Sequence, residues 1–456
     1  MSLIIPANSL SGGGFAVDNS ARFDGSSYLH RTPSATGNPK KWTYSVWVKM
    51  AQENPGYFLS AGSGTQSKFI FGAYGGGDID ILTYAGYVIL AKTARLFRDT
   101  NAWYHVVLAC DTTQAVAANG IKLYINGVQE TLTFYSEGSE NGYTQNTSLR
   151  VGTNNEPIHI GRDINDSGHW KGYMAECALV NDAQLDADQF GEFDEDSGIW
   201  KPIDISGLTF GTNGFYLDFK DSSAFGNDVS GNNNDFTVVG LAAIDQSTDT
   251  CTNNFATFNP LDKLTTGAPT GSEGNLKLTG NTSSNNTWNS TIGLSAGKWY
   301  VEMKVLQSTP DTSIVFRAQT NTSGSHNNSY GFDANGSRKL INGLQSGSAI
   351  GSTSQNDILG MALDLDNGKM FIHRNGTYLS SGDPANGTNP FIVTADGMPT
   401  EGVIGGHIYD GAVEWNFGSP SFAISSGNTD PNGYGNFEYP TNGYYALNTK
   451  NLSEFG

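Results

Sequence analysis

The residues best suited to chemistry lie in one polar stretch, RDINDSGHW, which runs from residue 162 to residue 170. Asp163, Asn165 and Asp166 place side-chain oxygen atoms close together there, and calcium prefers such oxygen ligands. The alternative is an Asx-rich turn, in which the same side chains satisfy their own backbone. The stretch therefore predicts either a site for calcium or sugar hydroxyls, or a purely structural turn.

An indole ends this stretch, because Trp170 follows His169. The apolar face of a sugar can stack on an exposed indole while Arg162 and the neighbouring carboxylates bind its hydroxyls. A buried aromatic ring at the start of a strand is equally familiar, and Trp170 would then close the core. The first interpretation predicts a shallow glycan site of millimolar affinity, about −4 kcal/mol.

Other polar clusters give weaker indications of chemistry. A calcium loop of the EF-hand type begins at Asp228, but Asn233 and Val239 stand where glycine and glutamate are required. The seven histidines form neither HxH nor HExxH, so the sequence predicts no zinc site. No GxSxG or glycine-rich phosphate loop occurs where a strand would lead into a helix. We interpret the acidic run 192–196 as a solvated linker. Catalytic residues are therefore not predicted.

Composition narrows the possible partners. The 456 residues include 25 Lys and Arg against 44 Asp and Glu, which gives a net charge of −19. Such an acidic chain is poorly suited to bind nucleic acid or an anionic membrane. No apolar run approaches the roughly 20 residues of a membrane helix, and the first residues lack the basic region of a secretory signal. We expect three reduced core cysteines and synthesis in the cytoplasm.

Two hairpins dominate the pattern of apolar residues and predict the elements that hold these groups. The wholly apolar run Val106 to Ala109 suits a strand buried on both faces. In Ile121 to Ile125, apolar and polar residues alternate, as in a strand with one face exposed to solvent. Asn126-Gly127 then makes a tight turn. The design recurs at Ile358 to Leu365 and Lys369 to Arg374, which Asn375-Gly376 closes. The sequence therefore predicts an all-β chain of two antiparallel β-sandwiches.

Short strands with frequent glycine and asparagine occupy most of the first half. In the run Trp42 to Lys49, residues Trp42, Tyr44, Val46 and Val48 share one face. Residues 182–190 are the one stretch for which we expect a short helix, capped by Asp182 and anchored by Leu185 and Phe190. Our predicted domains are a lead-in at 1–19, a sandwich at 20–195, a strand-bearing connector at 196–270, a second sandwich at 271–420 and a tail at 421–456.

The first sandwich resembles the laminin-G-like, concanavalin-A-like jelly-roll family. The resemblance lies in the ordered set RFDGSSYL, WTYSVWVK, AWYHVVLACD, GIKLYINGVQ, IHIGRD and KGYMAECALV. It implies two curved sheets packed face to face, with rim loops that bind glycans and can hold calcium, as Asp163, Asn165 and Asp166 would. The fold also includes laminarinase-type glycosidases, which carry ExDxxE on one strand. This chain lacks that motif, so we expect no cleavage of polysaccharide.

The second sandwich resembles the SPRY family through GKWYVEMKV, ILGMALDLDNGKMFIHRNGTYL and VEWNFG. The resemblance implies ligand recognition by loops at one end, without catalysis. The strand that usually follows the hairpin is replaced by the glycine-rich GVIGGHIYDGA. The ligand-binding candidates there are Tyr330, His407, Tyr409 and Asp410, and edge-strand packing is the alternative for them.

The order of the domains, with the connector and the ending NGYYALNTKNL, resembles marine bacteriophage virion proteins. This resemblance implies a non-enzymatic structural or adhesion component, such as a fibre, appendage or capsid decoration, that binds host-surface carbohydrate weakly. Its partners would be other virion proteins, and its assembly a homo-oligomer, with a trimer favoured. The alternatives are a polysaccharide-degrading tail enzyme and a protein-binding adaptor that uses the SPRY domain.

Overall fold

The computed structural model describes residues 14–64, 67–73, 76–84, 88–134, 143–263, 270–281, 286–307, 311–318 and 328–456. The chain divides into two compact units, the first ending at Thr252 and the second beginning at Asn253. Most of the predicted lead-in, up to residue 13, lies outside the described residues. Within the described ranges, no helix is both long and apolar enough to cross a membrane.

The first unit consists mainly of short strands joined by loops and turns. Among the described residues of this unit, the helical elements are α1 (Ala117–Gly120) and two 3-10 turns, Ala187–Gln189 and Ala243–Asp245. Its strands are, in chain order, β1 (Ser20–Asp24), β2 (Tyr28–Arg31), β3 (Lys41–Met50), β4 (Gly56–Gly64), β5 (Ser67–Ala73), β6 (Ile79–Tyr84), β7 (Val88–Thr93), β8 (Trp103–Asp111), β9 (Ile121–Ile125), β10 (Val128–Gln129), β11 (Leu132–Phe134), β12 (Ile158–Ile160), β13 (Lys171–Asn181), β14 (Gly191–Phe193), β15 (Trp200–Pro202), β16 (Phe215–Leu217), β17 (Thr237–Val239) and β18 (Gln246–Ser247).

Two antiparallel sheets enclose the core of this unit. One has the order β10-β9-β8-β3-β13-β1-β18, with β16 also paired to β13, and the other has the order β11-β7-β6-β5-β4-β12-β2-β17. Trp42, Tyr44, Val46 and Val48 all enter the core between the sheets, as their alternation predicts. The ring of Trp42 meets that of Phe69 on the opposite sheet at a centroid distance of 5.3 Å. The predicted all-β sandwich is therefore confirmed.

The central strand β8 is buried on both of its faces, as its apolar run predicts. Val106 and Leu108 point into the core between the sheets, whereas Val107 and Ala109 belong to a second apolar cluster on the outer face. The turn after β9 has the predicted geometry, with φ of 48° at Asn126 and 79° at Gly127. Glycine tolerates such a positive φ without steric cost, which explains its place in this turn.

The second cluster exists because residues 183–216 cover the outer face of the sheet that contains β8. In this layer Trp200 stacks near His105, and its Nε1 donates to His105 Nδ1 over 2.9 Å. Further along, β16 pairs with β13, β17 with β2 and β18 with β1. The segment that we expected to be a connector therefore supplies strands to both sheets of the first unit.

The helix predicted over residues 182–190 is wrong, because only Ala187–Gln189 forms a single 3-10 turn. Asp182 has a φ of 80°, which is incompatible with a helical start. The Leu185 amide donates to Thr43 Oγ1 over 2.8 Å, so this backbone is bonded to the sheet instead of to itself. Phe190 is nevertheless buried, as expected of an anchor.

The second unit is a second antiparallel sandwich. Its helical elements are α2 (Thr449–Phe455) and the 3-10 turns Leu379–Ser381 and Thr394–Asp396. Its strands are β19 (Phe258–Lys263), β20 (Thr270–Ser272), β21 (Lys277–Thr279), β22 (Asn286–Leu294), β23 (Lys298–Val305), β24 (Asp311–Arg317), β25 (Ser329–Asp333), β26 (Arg338–Ile341), β27 (Leu344–Ser346), β28 (Ile358–Asp364), β29 (Lys369–Arg374), β30 (Thr377–Tyr378), β31 (Ile392–Val393), β32 (Gly402–Asp410), β33 (Ala412–Asn416) and β34 (Tyr445–Ala446).

The two sheets of this unit follow the same principle as those of the first. One has the order β19-β22-β32-β24-β25-β26-β27, and the other has β20-β21-β33-β23-β28-β29-β30, with β31 on β29 and β34 on β23. The hairpin of β28 and β29 turns at residues 365–368, where Gly368 has a φ of 61°, and the chain turns again after β29 at Asn375 and Gly376, where φ is 49° and 78°. The predicted second hairpin is therefore confirmed, and it lies inside the larger sheet.

Two stretches that looked irregular are integral to the second sandwich. The glycine-rich GVIGGHIYDGA forms β32, which pairs with β22 on one side and β24 on the other. The expectation that this stretch takes the place of a strand is wrong, because it is itself a paired strand. Its glycines have a packing reason: Trp415 and Phe258 lie so close to Gly406 that they favour a residue without a side chain there. The C-terminal tail adds β34 beside β23 and ends in α2, so it wraps its own unit.

Candidate functional site

The loop between β12 and β13, which carries the predicted binding residues, is fixed at several points. The amide of Trp170 donates to Gly161 O over 2.7 Å, and the amide of Tyr57 donates to Gly168 O over 2.9 Å. Ser60 Oγ donates to Arg162 O over 2.9 Å. These bonds tie the loop to its own base and to β4. Its side chains are therefore presented from a rigid frame, as a binding site requires.

Trp170 faces the interior and not the solvent. None of its surface is exposed, and its ring packs against Phe58 with a centroid distance of 4.9 Å. Stacking of a sugar on this indole is incompatible with such burial, so that part of the prediction is wrong. The physical reason is its place directly before β13, where the chain turns inward. The alternative interpretation, a core anchor, agrees with the structure.

Asp163 is also unavailable to a ligand. Its carboxylate is buried and lies 2.5 Å from Lys68 Nζ, so an ammonium group already neutralises it. Asn165 and Asp166 are exposed on the other side of the same turn, in which the Asp166 amide donates to Asp163 O over 3.2 Å. Calcium binding by the predicted trio is therefore wrong for this arrangement. Among the residues that the structure describes, no three His, Cys, Asp or Glu side chains cluster as a metal site.

The calcium-like loop at Asp228 also serves the backbone. Asp228 Oδ1 accepts the amides of Tyr216 and Ser230 over 2.9 Å each, and Oδ2 accepts the Asn234 amide over 2.8 Å. Its oxygens are thus occupied by N–H donors that a cation could not replace. The rejection of an EF-hand on sequence grounds agrees with this geometry.

Residues from the rest of this loop, from β2 and from β12 together form a polar surface that contains aromatic rings, which we call the Tyr28 patch. It consists of Tyr28, His30, His159, Arg162, Asp166 and His169. The guanidinium carbon of Arg162 lies 3.6 Å from the centroid of the Tyr28 ring. The imidazoles of His30 and His159 stack at 5.7 Å. A cation held over an aromatic face at this distance gains roughly 0.5–1 kcal/mol at an exposed site.

Arg162 determines the protonation of its neighbour. Its Nη2 lies 3.2 Å from His159 Nε2, and because a guanidinium can only donate, the imidazole nitrogen must accept. Burial, together with the charge of Arg162 and the neighbouring His30, lowers the pKa of His159 to about 4. His159 is therefore a neutral part of the support and not a titrating group near neutral pH.

Asp166 completes the exposed edge of the Tyr28 patch. Its Oδ1 accepts from Arg162 Nη1 and from His169 Nε2, the latter over 3.1 Å. The bond from Arg162 holds the pKa of Asp166 below its usual value. The Asp166 side chain is 73% exposed, whereas that of Arg162 is 12% exposed. The patch thus presents a charged, hydrogen-bonding rim on a fixed base.

Of the predicted residues, the structure brings Arg162 and Asp166 together and separates them from Asp163 and Trp170. Sequence reasoning missed the partners on β2 and β12. Period-two alternation could have found them, because Leu29 enters the core while Tyr28 and His30 flank it on the outer face. What the sequence could not show is that β12 lies beside β2.

The predicted residues of the second unit do not form a common site. Tyr330 is a core residue of β25, and His407 is 2% exposed in the middle of the sheet. Neither can line an open pocket, so the prediction is wrong for both, because β25 and β32 are inner strands of the same sheet. Tyr409 is half-buried and Asp410 is exposed at the end of β32.

A buried acid with a strongly raised pKa occurs elsewhere in the first unit. Burial raises the pKa of Glu176 to about 7, although Tyr216 donates a hydrogen bond to its Oε2. Glu176 has a φ of 49° at the bulge in β13 and is 4% exposed. A raised pKa suits a general acid, but this carboxyl lies beneath the layer of residues 183–216, where no substrate reaches it.

Glu176→Gln should remove a pH dependence of stability. The pKa of Glu176 in the folded protein, about 7, exceeds the ordinary value of 4.5. Protonation of Glu176 therefore stabilises the folded state, and this stabilisation is lost as pH rises from 4.5 to 7. The loss amounts to at most about 3 kcal/mol. We expect denaturant unfolding at pH 8 to show a more stable Glu176→Gln protein, with little difference at pH 4. Equal stability of the two proteins at pH 8 would contradict the assignment.

Comparison with known proteins agrees with the fold of the first unit. Residues 23–188 match the Laminin_G_3 family model, described as the concanavalin A-like lectin/glucanases superfamily. No curated protein matches the chain. Over these residues the first unit is therefore similar to concanavalin-A-like domains of the laminin-G type.

Solved structures with similar folds are distant from this chain. The SPRY domain of human HERC1 has 13% identity and a TM-score of 0.27, over 35% of this chain and 96% of that one. A heptameric SAP-like pentraxin from Limulus polyphemus has 17% identity and a TM-score of 0.27, over 38% and 80%. Domain 4 of the arabinanase AbnA from Geobacillus stearothermophilus, in complex with arabinotriose, has 17% identity and a TM-score of 0.27, over 40% and 82%.

Proposed function

We propose that the protein is a non-enzymatic carbohydrate-binding protein and that the Tyr28 patch holds the glycan. The observation that carries the proposal is the Arg162 guanidinium, which is fixed between the Tyr28 ring and Asp166 on the rigid loop of a lectin-type sandwich. Fixed donors and acceptors beside an aromatic ring are what sugar hydroxyls and ring faces require. The patch offers both.

The patch would bind a glycan through its exposed edge. The Asp166 carboxylate accepts hydrogen bonds from hydroxyls, and the exposed amide of Asn165 can both accept and donate. The less exposed guanidinium of Arg162 donates. Such an open and solvated site supports only weak binding, with millimolar affinity equivalent to about −4 kcal/mol. Useful adhesion would then depend on many copies acting together.

The proposal of a non-catalytic role rests on the placement of the carboxylates. Glycosidases need two carboxyl groups that face one cleft. Glu176, whose raised pKa would suit an acid catalyst, is buried against Tyr216. In the Tyr28 patch Asp166 is the only carboxylate among the described members, and it is held in an ion pair with Arg162.

We further propose that this chain is a structural or adhesion component of a marine phage particle. The support is the resemblance in domain order, connector and C-terminal sequence to such virion proteins. Its partners would be other virion proteins and host-surface carbohydrate. Its assembly would be a homo-oligomer, because cyclic assembly multiplies weak contacts, and the resemblance implies that the oligomer is a trimer. Mass measurement of the native particle component tests this, and isolated monomers would count against it.

Arg162→Ala is expected to weaken glycan binding of the full chain by about tenfold or more. Removing the guanidinium frees the Tyr28 ring and takes away the donors that orient Asp166 and His159. A glycan array identifies a bound glycan, and calorimetric titration then compares the variant with the parent protein. The matched control is Arg98→Ala, which removes a side chain that is 63% exposed and far in sequence from the patch.

Three outcomes would contradict this proposal. The first is a parent protein that binds no glycan on the array. The second is unchanged affinity in Arg162→Ala, and the third is an equal loss in Arg98→Ala. Release of reducing ends from a bound polysaccharide, abolished by a single Asp or Glu substitution, would contradict the non-enzymatic part alone.

A further inference from the structure

A cleft in the second unit lies between the loop that follows β29 and the C-terminal segment that precedes β34. It has a volume of about 650 Å³ and is lined by residues from 373–385 and 428–442. This volume is within the range of about 300–1,000 Å³ that is typical of small-molecule sites. None of the ligand-binding candidates predicted from the sequence lies in it.

A buried carboxylate fixes one wall of the cleft. Glu302 on β23 is fully buried, and its Oε1 accepts the Tyr439 amide over 2.7 Å. Its Oε2 accepts the Glu438 amide over 3.1 Å and Asn416 Nδ2 over 3.0 Å. Two consecutive amides of the C-terminal segment are thus bound to the sheet by one side chain. The wall is preorganised, which reduces the entropy that a ligand must overcome.

The floor of the cleft is a neutral imidazole. His373 Nδ1 accepts the Gly376 amide over 3.2 Å, so Nε2 carries the proton and faces Tyr300 Oη at 2.6 Å. Burial lowers the pKa of His373 to about 3. Both ring nitrogens are therefore engaged, and this histidine supports the cleft without acting as an acid or base.

Aromatic surface flanks the floor on two sides. The rings of Tyr378 and Tyr439 meet the His373 imidazole edge-on at 5.3 Å and 5.7 Å. Tyr378 Oη is hydrogen-bonded to Thr441 Oγ1, and the Tyr439 ring lies against Gly376, where a Cβ atom would come within 2.8 Å of it. Both rings are half-buried. Each is held in place and keeps part of its surface at the cleft.

The polar lining favours an uncharged ligand. Among the described lining residues there is no Lys or Arg, so an anionic ligand would find no counter-charge and would meet two carboxylates. Those carboxylates are already bonded, Glu438 to the Ser425 amide over 2.6 Å and Asp383 to Asn386 Nδ2 over 2.7 Å. Hydrogen bonds from these neighbours hold both of their pKa values below the ordinary range.

We infer that this cleft binds a neutral saccharide. The exposed amides of Asn428 and Asn442 supply donors and acceptors that match hydroxyl groups, which also do both. Tyr439 supplies a fixed apolar surface for the face of a sugar ring. The site belongs to the second unit and is independent of the Tyr28 patch in the first. The chain would therefore carry two different glycan sites.

Tyr439→Ala in the full chain tests this inference. The probes are methyl glycosides of neutral hexoses and pentoses, with a methyl uronoside and choline as charged comparisons, and saturation-transfer NMR titration measures binding. We expect at least one neutral glycoside to bind with millimolar affinity and Tyr439→Ala to weaken it about tenfold. The matched control, Tyr445→Ala, removes a half-buried tyrosine of the same unit outside the cleft and should leave binding unchanged.

A second variant guards against misfolding of the first. Asn442→Ala removes an exposed side chain, so it should weaken the same glycoside while the unfolding midpoint stays that of the parent. Arg162→Ala should leave binding of this glycoside intact, which separates the two sites. The inference is overturned if no neutral glycoside binds, if a charged probe binds in preference, or if Tyr439→Ala and Asn442→Ala both bind like the parent.

Discussion

Replacing Asp249 with alanine is expected to lower the free energy of unfolding of the first unit by about 3–5 kcal/mol. Asp249 Oδ2 lies 2.7 Å from Lys49 Nζ, and both side chains are 1% exposed. Asp249 Oδ1 also accepts Trp103 Nε1 over 3.0 Å. The substitution therefore leaves a buried ammonium group without its carboxylate and an indole N–H without its acceptor.

The pH dependence of this variant gives a second, more specific readout. Burial lowers the pKa of Lys49, and the charge of Asp249 opposes that shift. Without Asp249 the folded pKa of Lys49 falls further below the unfolded one, so the unfolded state binds more protons and stability should rise with pH. We expect Asp249→Ala to regain part of its lost stability between about pH 7 and pH 10.

Chemical denaturation of the parent, Asp249→Ala and the double variant Lys49→Met/Asp249→Ala measures the effect. The double variant should recover part of the loss, because it removes the buried ammonium group together with its carboxylate. Asp196→Ala removes an exposed carboxylate of the same unit and should change stability by less than about 0.5 kcal/mol. An Asp249→Ala protein as stable as Asp196→Ala would show that the buried pair is dispensable.

Local patterns predicted the sheets because alternation and turn chemistry act over a few residues. The apolar run of β8 and the two Asn-Gly turns are such cases, and the structure confirms them. The predicted helix at residues 182–190 failed for a non-local reason. The hydroxyl of Thr43, which is distant in sequence, accepts a hydrogen bond from the Leu185 amide. This bond holds the chain in a non-helical conformation that the local sequence pattern does not indicate.

The candidate sites were harder to predict because distant residues build them. The Tyr28 patch joins β2 to a loop more than a hundred residues later, and only their pairing through β12 places Arg162 over Tyr28. Trp170 was ambiguous because an indole before a strand can face either way. In the second unit Glu302, His373 and Tyr439 meet across separate parts of the chain, and each alone reads as an ordinary strand or loop residue.

The second large effect is expected from Glu302→Gln, a substitution that keeps the shape of the side chain. Glu302 accepts four donors in total: Tyr300 Oη over 3.0 Å, the amides of Glu438 and Tyr439, and Asn416 Nδ2. Glutamine replaces one accepting oxygen with an NH₂ group, which must then face two donors. Burial raises the pKa of Glu302 while these bonds oppose the shift. The substitution therefore acts through the two donors that lose their acceptor and not through the loss of a charge.

We expect Glu302→Gln to lower the free energy of unfolding of the second unit by about 3 kcal/mol, because two buried donors lose their partner. The loss should be local as well as global, since the amides of Glu438 and Tyr439 hold the C-terminal segment against β23. Hydrogen exchange at these two amides should therefore accelerate more than at β28, and limited proteolysis should cut near residue 438 earlier than in the parent.

Glu401→Gln, at an exposed position of the same unit, is the control and should change neither. Unaltered exchange at Tyr439 in Glu302→Gln would mean that the segment is held by its other contacts, such as the bond from Tyr378 to Thr441 and the packing of Phe437 on Tyr300.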